Sequence, residues 1–289
     1  MRNLVITTVV ALLATAVWSA DEHEISSRTI RETLAFGSTD GRPRLIVDNV
    51  WGDIRIYGHD GSDVRLEVVE TIHAESAAKA ERAAAEVELE IRTGGGEVDL
   101  FVAGPFRDAR DRRRWAQRHR HPGYTVVYDF ELHVPRRCDL DVRTVTDGEV
   151  EIHGVSGTYE VRNVNGGIQL ERGSADRGIV ETVNGPIIGR FDGIPAGELR
   201  FATVNGRIEV VYPPSLAADL RLKSGWGEIW SEFEVAPLPQ PPPTRRQENG
   251  RLVIKVGGGA AVRVGTGGPQ VFFETLNGDI LIRKEGHGT

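Results

Sequence analysis

Glu181-Thr182-Val183-Asn184-Gly185-Pro186-Ile187 and Ala202-Thr203-Val204-Asn205-Gly206-Arg207-Ile208 repeat one pattern, with their glycines 21 residues apart. The pattern recurs at Asp48-Asn49-Val50-Trp51-Gly52-Asp53-Ile54, Arg162-Asn163-Val164-Asn165-Gly166-Gly167-Ile168, Lys223-Ser224-Gly225-Trp226-Gly227-Glu228-Ile229 and Glu274-Thr275-Leu276-Asn277-Gly278-Asp279-Ile280. Arg143 to Val150 is a seventh copy with one extra residue. From Gly148 to Gly227 the glycine steps are 18, 19, 21 and 21 residues, the regularity of serially repeated β units.

Each column of the pattern has a physical meaning. Before the turn stand Asn49, Thr144, Asn163, Thr182, Thr203, Ser224 and Thr275, short polar side chains able to bond backbone or one another in a ladder. After it stand Ile54, Val150, Ile168, Ile187, Ile208, Ile229 and Ile280, all β-branched, a column expected in the core. Ile56, Ile152, Leu170, Val210 and Ile282 follow two residues later, the period of a half-buried strand, with Gly189 and Ser231 as departures. Asn-Gly is expected to supply left-handed backbone for a tight reversal, so every copy reads as strand, turn, strand.

Two all-β architectures accommodate this. Asn-Gly between alternating residues signals two-residue hairpins, hence an antiparallel meander or sandwich. A near-constant step with matching columns equally suits a repeat-built β-solenoid in which like residues stack. Val134-Pro135, then Leu140-Asp141-Val142-Arg143-Thr144-Val145 and the serial Thr-Val-Asn-Gly copies, resembles the bacterial putative-adhesin family of β-strand-repeat proteins, a domain of unknown function. The resemblance spans roughly Leu45 to Arg283 and implies a β-helix-like fold in an exported protein, with no catalytic residues to carry over.

Met1-Arg2-Asn3 followed by the apolar run Leu4 to Val17 reads as a secretory signal peptide, residues 1–20, cleaved near Ser19 or Ala20. Export to the periplasm or cell surface is expected, and no later segment has the length of a membrane span. Residues 21–44 form a lead-in, and 45–289 a single β-repeat domain with insertions at 73–130 and 234–250. Without Arg2, 34 bases against 42 acids leave the mature chain at −8 with both signs dispersed, which disfavours nucleic acid as a partner. Cys138 is the sole cysteine, so no internal disulfide can form and packing must hold the fold.

Within the first insertion, Ala74 to Glu86 is alanine-rich, with Glu75–Lys79 and Arg82–Glu86 spaced to support a short helix. Val87, Leu89 and Ile91, then Val98, Leu100 and Val102 across Gly94-Gly95-Gly96, predict a hairpin after it. Ala236 to Thr244, with five prolines, predicts an extended spacer before the last copy rejoins the sheet.

Arg107, Arg110, Arg112, Arg113, Arg114, Arg118 and Arg120, with Trp115 among them, form the one strongly positive stretch. Such a segment could grip phosphate or acidic polysaccharide through paired guanidinium bonds and indole stacking, or form a merely solvated excursion. His119 and His121 lack further ligands at metal spacing, so no metal site is expected, and no cofactor signature stands out. The residues after the turn glycines, Asp53, Glu149, Gly167, Pro186, Arg207, Glu228 and Asp279, are too mixed for an active-site row. The reading is therefore a non-catalytic, adhesin-like envelope or surface binding protein. Its partner is an anionic envelope or surface glycan or another envelope protein. A periplasmic structural or regulatory scaffold is the alternative, and a glycan-active β-helix enzyme a more distant one. Trp51 and Trp226 replace asparagine in the turn; lying together they would favour a binder, and lying apart a scaffold.

Overall fold

The computed structural model describes residues 24–38, 41–107, 123–239, 244–248, 251–255 and 259–286. The expected signal peptide lies outside the described residues. The chain runs through β1 (Glu24–Ala35), β2 (Arg44–Asp48), β3 (Ile54–His59), β4 (Asp63–Ala74), α1 (Ala77–Glu86), β5 (Glu88–Gly94), β6 (Glu97–Ala103) and β7 (Tyr124–Pro135). Next come β8 (Asp139–Arg143), β9 (Val150–His153), β10 (Ser156–Arg162), β11 (Ile168–Glu181), β12 (Ile187–Phe191), β13 (Leu199–Asn205), β14 (Ile208–Tyr212), β15 (Ala218–Trp226) and β16 (Ile229–Ser231). The last are β17 (Val235–Pro237), β18 (Thr244–Glu248), β19 (Arg251–Lys255), β20 (Ala260–Val264), β21 (Gln270–Asn277) and β22 (Ile280–Lys284).

Among the described residues the protein is all-β with one short helix; twenty strands join into a sheet that nearly closes around the core, and β18 and β19 pair as a separate two-stranded sheet. The turns of the repeat do not close hairpins. The strand before each turn pairs in parallel with its counterparts, in the order β6, β2, β8, β10, β11, β13, β21, β15. The strand after each turn does the same, in the order β7, β3, β9, β11, β12, β14, β22, β16. Each copy thus contributes one rung to two ladders, a pre-turn and a post-turn ladder, and the long β11 serves both.

Register follows the columns found in the sequence. Ile54, Val150, Ile168, Ile187, Ile208 and Ile280 are aligned rung on rung and buried. Their β-branched side chains fill the pleat between the two ladders. Ile229 is aligned with Ile280 but is 37% exposed, because it stands on the terminal rung with a neighbour on one side only. The expectation that this column is core at every copy fails there.

Spatial order departs from chain order at both ends. The last copy, β21 and β22, lies between the fifth, β13 and β14, and the sixth, β15 and β16. At the other end, β6 and β7 add a rung beyond the first copy, in which Phe130 pairs with Ile54. Antiparallel strands then flank the ladders: β4 on β7 and β1 on β4, β5 on β6, and β20 on β15 with β17 on β20. The lead-in therefore contributes β1, which lies against β4 over twelve residue pairs. Buried Glu70 holds this seam, accepting from Arg28 Nη2 at 2.6 Å and from Tyr128 Oη at 2.8 Å.

The helix and hairpin of the first insertion form as expected. Ser76 caps α1, and Glu75–Lys79 and Arg82–Glu86 both pair along it. β5 and β6 form the hairpin around the glycines.

Cys138 is fully buried, and burial pushes its thiol up to about 12. A thiol that is neutral and shielded from water is inert. Native protein is therefore expected to resist a thiol-selective chromogenic reagent at pH 8, and to titrate as one thiol once unfolded. Prompt reaction of the native chain would place Cys138 at the surface.

Candidate binding face

The site begins with the column before the turn. Asn49, Thr144, Asn163, Thr182, Thr203 and Thr275 are buried, although polar. Each donates to the carbonyl at the turn position of the neighbouring rung: Asn49 to Tyr128, Thr144 to Gly52, Asn163 to Gly148, Thr182 to Gly166, Thr203 to Gly185 and Thr275 to Gly206, at 2.7–3.3 Å. Ser224 does the same to Gly278 at 2.9 Å. These bonds satisfy backbone that the turn would otherwise bury unpaired.

With that side chain turned inward, the next residue must face out. Val145, Val164, Val183, Val204 and Leu276 form an aliphatic row, 36–50% exposed. Beside it runs a row of amides: Asn184 Nδ2 donates to Asn165 Oδ1, Asn205 Nδ2 to Asn184 Oδ1 and Asn277 Nδ2 to Asn205 Oδ1, each at 2.7 Å. Repetition at a rung spacing of about 4.8 Å makes both rows linear.

On the far side of the aliphatic row the surface is a lattice of opposite charges. Arg200 bridges Glu181 at 3.7 Å and Glu274 at 2.7 Å, while Lys223 meets Glu274 at 2.5 Å and Arg162 meets Glu160 at 2.5 Å. The Lys223 ammonium holds the Glu274 carboxyl below the usual carboxylate range, and the Arg162 guanidinium does so for Glu160. An open groove of about 570 Å³ runs along this border, floored by Val164, Val183, Val204 and Leu276. Arg162, Arg200 and Lys223 against Glu181 and Glu274 line it with hydrogen-bonding groups and a small excess of positive charge.

The turn glycines meet the expected requirement only in part: Gly52, Gly166 and Gly278 have positive φ, and the other four do not. Asn165, Asn184, Asn205 and Asn277 keep ordinary backbone, and Gly148, Gly185, Gly206 and Gly227 have no positive φ. What demands glycine is stacking: a Cβ on Gly206 would stand 1.9 Å from the Gly185 carbonyl oxygen, and one on Gly185 2.2 Å from that of Gly166. The acids of the post-glycine column also have structural work. Asp53 Oδ1 accepts from the Glu149 amide and Asp279 Oδ1 from the Glu228 amide, both at 2.9 Å.

Of the arginine-rich segment, Arg107 is described, and it is committed to the fold. Its guanidinium bonds Asp48 Oδ1 and the Asp48 carbonyl at 2.7 Å and the Val102 carbonyl at 2.9 Å, and it lies over Phe101. Arg110, Arg112, Arg113, Arg114, Trp115, Arg118 and Arg120 lie outside the described residues. Trp51 is half-buried edge-on against Phe106, whereas Trp226 is 78% exposed. The two occupy opposite ends of the amide row, six rungs or roughly 29 Å apart. The candidate face was missed by sequence reasoning; the valine between the buried threonine and the asparagine was its signal.

No protein-family model matches the chain, and no curated protein matches it. Among solved structures, a putative cell adhesion protein from Clostridium sporogenes is similar at TM-score 0.43 and 9% identity, covering 90% of this chain and all of that one. A putative lipid binding protein from Parabacteroides distasonis is similar at TM-score 0.25 and 9% identity, covering 90% of this chain and 96% of that one. At these scores neither similarity carries an argument, and the family resemblance of the motif stays a resemblance.

Proposed function

We propose that the chain is an exported, non-catalytic, adhesin-like β-solenoid of the periplasm or cell surface, which binds an envelope or surface glycan along its aliphatic and amide rows. The observation that carries this reading is the pairing of two exposed rows of different chemistry in one straight face. A pyranose offers a C–H face and a rim of hydroxyls; the valines suit the first and the amides the second. Each bridged amide keeps one N–H and one oxygen lone pair for a ligand. The arginine-rich segment follows Phe106 in the sequence, Phe106 packs on Trp51, and those arginines would add salt-sensitive attraction for an acidic glycan. The separation of Trp51 from Trp226 favours the second reading, a periplasmic scaffold.

A glycan array and isolated envelope polysaccharide, probed with the mature chain, distinguish the two. Val183→Ser with Val204→Ser, or Asn184→Ala with Asn205→Ala, is expected to weaken binding about tenfold or more while stability changes by about 1 kcal/mol or less per site. If the parent binds nothing at low ionic strength, the scaffold reading replaces this one. If both double variants bind as the parent does, the rows are not the site.

A further inference from the structure

The post-turn ladder ends at β16 with a set of vacancies that specify what would fill them. Seven successive amides, those of Phe130, Ile54, Val150, Ile168, Ile187, Ile208 and Ile280, each donate to a carbonyl of the next rung at 2.9–3.1 Å. The eighth in the series is Ile229 N–H, and among the described residues nothing accepts from it. Likewise the amides of Tyr128, Gly166, Gly185, Gly206 and Gly278 donate to the next rung's turn at 2.9–3.2 Å. Gly227 N–H is the next, and among the described residues nothing accepts from it, nor from Gly52 or Gly148 within the stack. The Gly227 carbonyl closes the third series, in which every earlier member receives a hydroxyl or amide side chain from the following rung.

The same rung is unusually bare for an edge strand. Trp226, Ile229 and Trp230 are exposed together, whereas the edge strands β1 and β5 carry Arg28, Arg31 and Glu32, and Glu88, Glu90 and Arg92. Charged edges resist further pairing and apolar ones invite it. The stretch that carries this edge has charge of one sign: from Ser224 to Pro239 the chain holds Glu228, Glu232 and Glu234 and no base, although Lys223 precedes it and Arg283 and Lys284 lie beside it on β22. Two copies meeting end to end through this rung would oppose those glutamates, which argues against self-association.

We propose that β16 is a docking edge for a partner protein, which adds one extended, basic strand in parallel to the post-turn ladder. The vacancies define the recognised pattern: serine, threonine or asparagine three residues before a glycine, and a β-branched residue two after it. The hydroxyl would bond the Gly227 carbonyl, the glycine would pass the Gly227 carbonyl without a Cβ, and backbone carbonyls would take the Gly227 and Ile229 amides. Lysines or arginines at the outward positions would face the three glutamates. This surface is distinct from the valine and asparagine rows and does not depend on their binding a glycan.

The test uses the mature chain and the synthetic peptide Lys-Thr-Val-Asn-Gly-Lys-Ile-Lys-Val-Lys, followed by the blue shift of tryptophan emission as Trp226 and Trp230 are covered. Saturable binding is expected, about tenfold weaker for a peptide with valine in place of threonine and alanine in place of glycine. Ile229→Pro removes the waiting N–H at an exposed edge and is expected to abolish binding at unchanged melting temperature. Ile229→Lys, which keeps the N–H and adds a like charge for the basic peptide, covers the case in which the proline variant fails to fold, and is expected to weaken binding at least tenfold. Equal binding of a scrambled peptide, or none at millimolar concentration, overturns the proposal. So does a sedimentation result showing a dimer that Ile229→Pro dissociates, or binding that appears only after residues 240–258 are deleted; the occupant would then be a second copy or the chain itself.

Discussion

Gly206→Ala is expected to destabilise the protein by about 3–5 kcal/mol, at the upper end of single substitutions, and to lower its melting temperature by roughly 10 °C. The added Cβ would meet the Gly185 carbonyl oxygen at 1.9 Å and its carbon at 2.5 Å, both backbone atoms inside a ladder. Relief requires the rungs to part. Separation would stretch the Thr203 hydroxyl bond to Gly185, 3.0 Å long, and disturb the Gly206 amide bond to Asn277, also 3.0 Å. Gly167→Ala is the matched control, since its Cβ would find only Pro186 at 3.5 Å and its φ is not positive. That change is expected to cost less than about 0.5 kcal/mol, because alanine also restricts the unfolded chain. Chemical denaturation of the pair checks this. Equal and small effects would mean that the turns are not stacked as described.

The columns were legible in the sequence because period and residue type are local properties. Thr144, Thr182, Thr203 and Thr275 could be recognised as a ladder, and Ile168, Ile187 and Ile208 as core, before any strand was paired. Pairing itself was not local. Nothing near Glu274 marks the last copy as the neighbour of both Ala202 and Lys223, and nothing near Tyr128 marks it as an added rung. Asn-Gly misled about hairpins, and only Gly166 and Gly278 of its four copies have the positive φ it was expected to supply. A turn that needs left-handed backbone and a stack that forbids a Cβ both select glycine, and the dipeptide looks the same in either.

The candidate site was less legible than the fold. Valine suits a pleated strand whether it faces core or water, so Val164, Val183 and Val204 gave no sign of exposure until the buried threonines fixed the faces. Asn165, Asn184, Asn205 and Asn277 read as turn residues, and their side-chain chain depends on a register that the sequence left open between parallel and antiparallel pairing. Arg107 illustrates the converse. Composition groups it with the other arginines of its segment, yet Asp48, 59 residues away, and Phe101 make it a structural residue.

Ile208→Ala is expected to cost about 2–5 kcal/mol, the range for truncating a fully buried isoleucine, and Ile229→Ala less than about 1 kcal/mol. Both occupy the same column, so sequence pattern alone would assign them equal effects. Ile208 is wholly buried between Ile187 and Ile280, whose side chains are buried too. Removing three carbons there leaves a cavity that the rungs on either side are too tightly bonded to fill. Ile229 has Ile280 on one side and solvent on the other, so its truncation exposes little that is not already wet. Urea denaturation of the two variants separates position in the column from position in the stack. A large loss at Ile229 would show that the terminal rung is covered in solution, and would point to the β16 edge as the place to look for the cover.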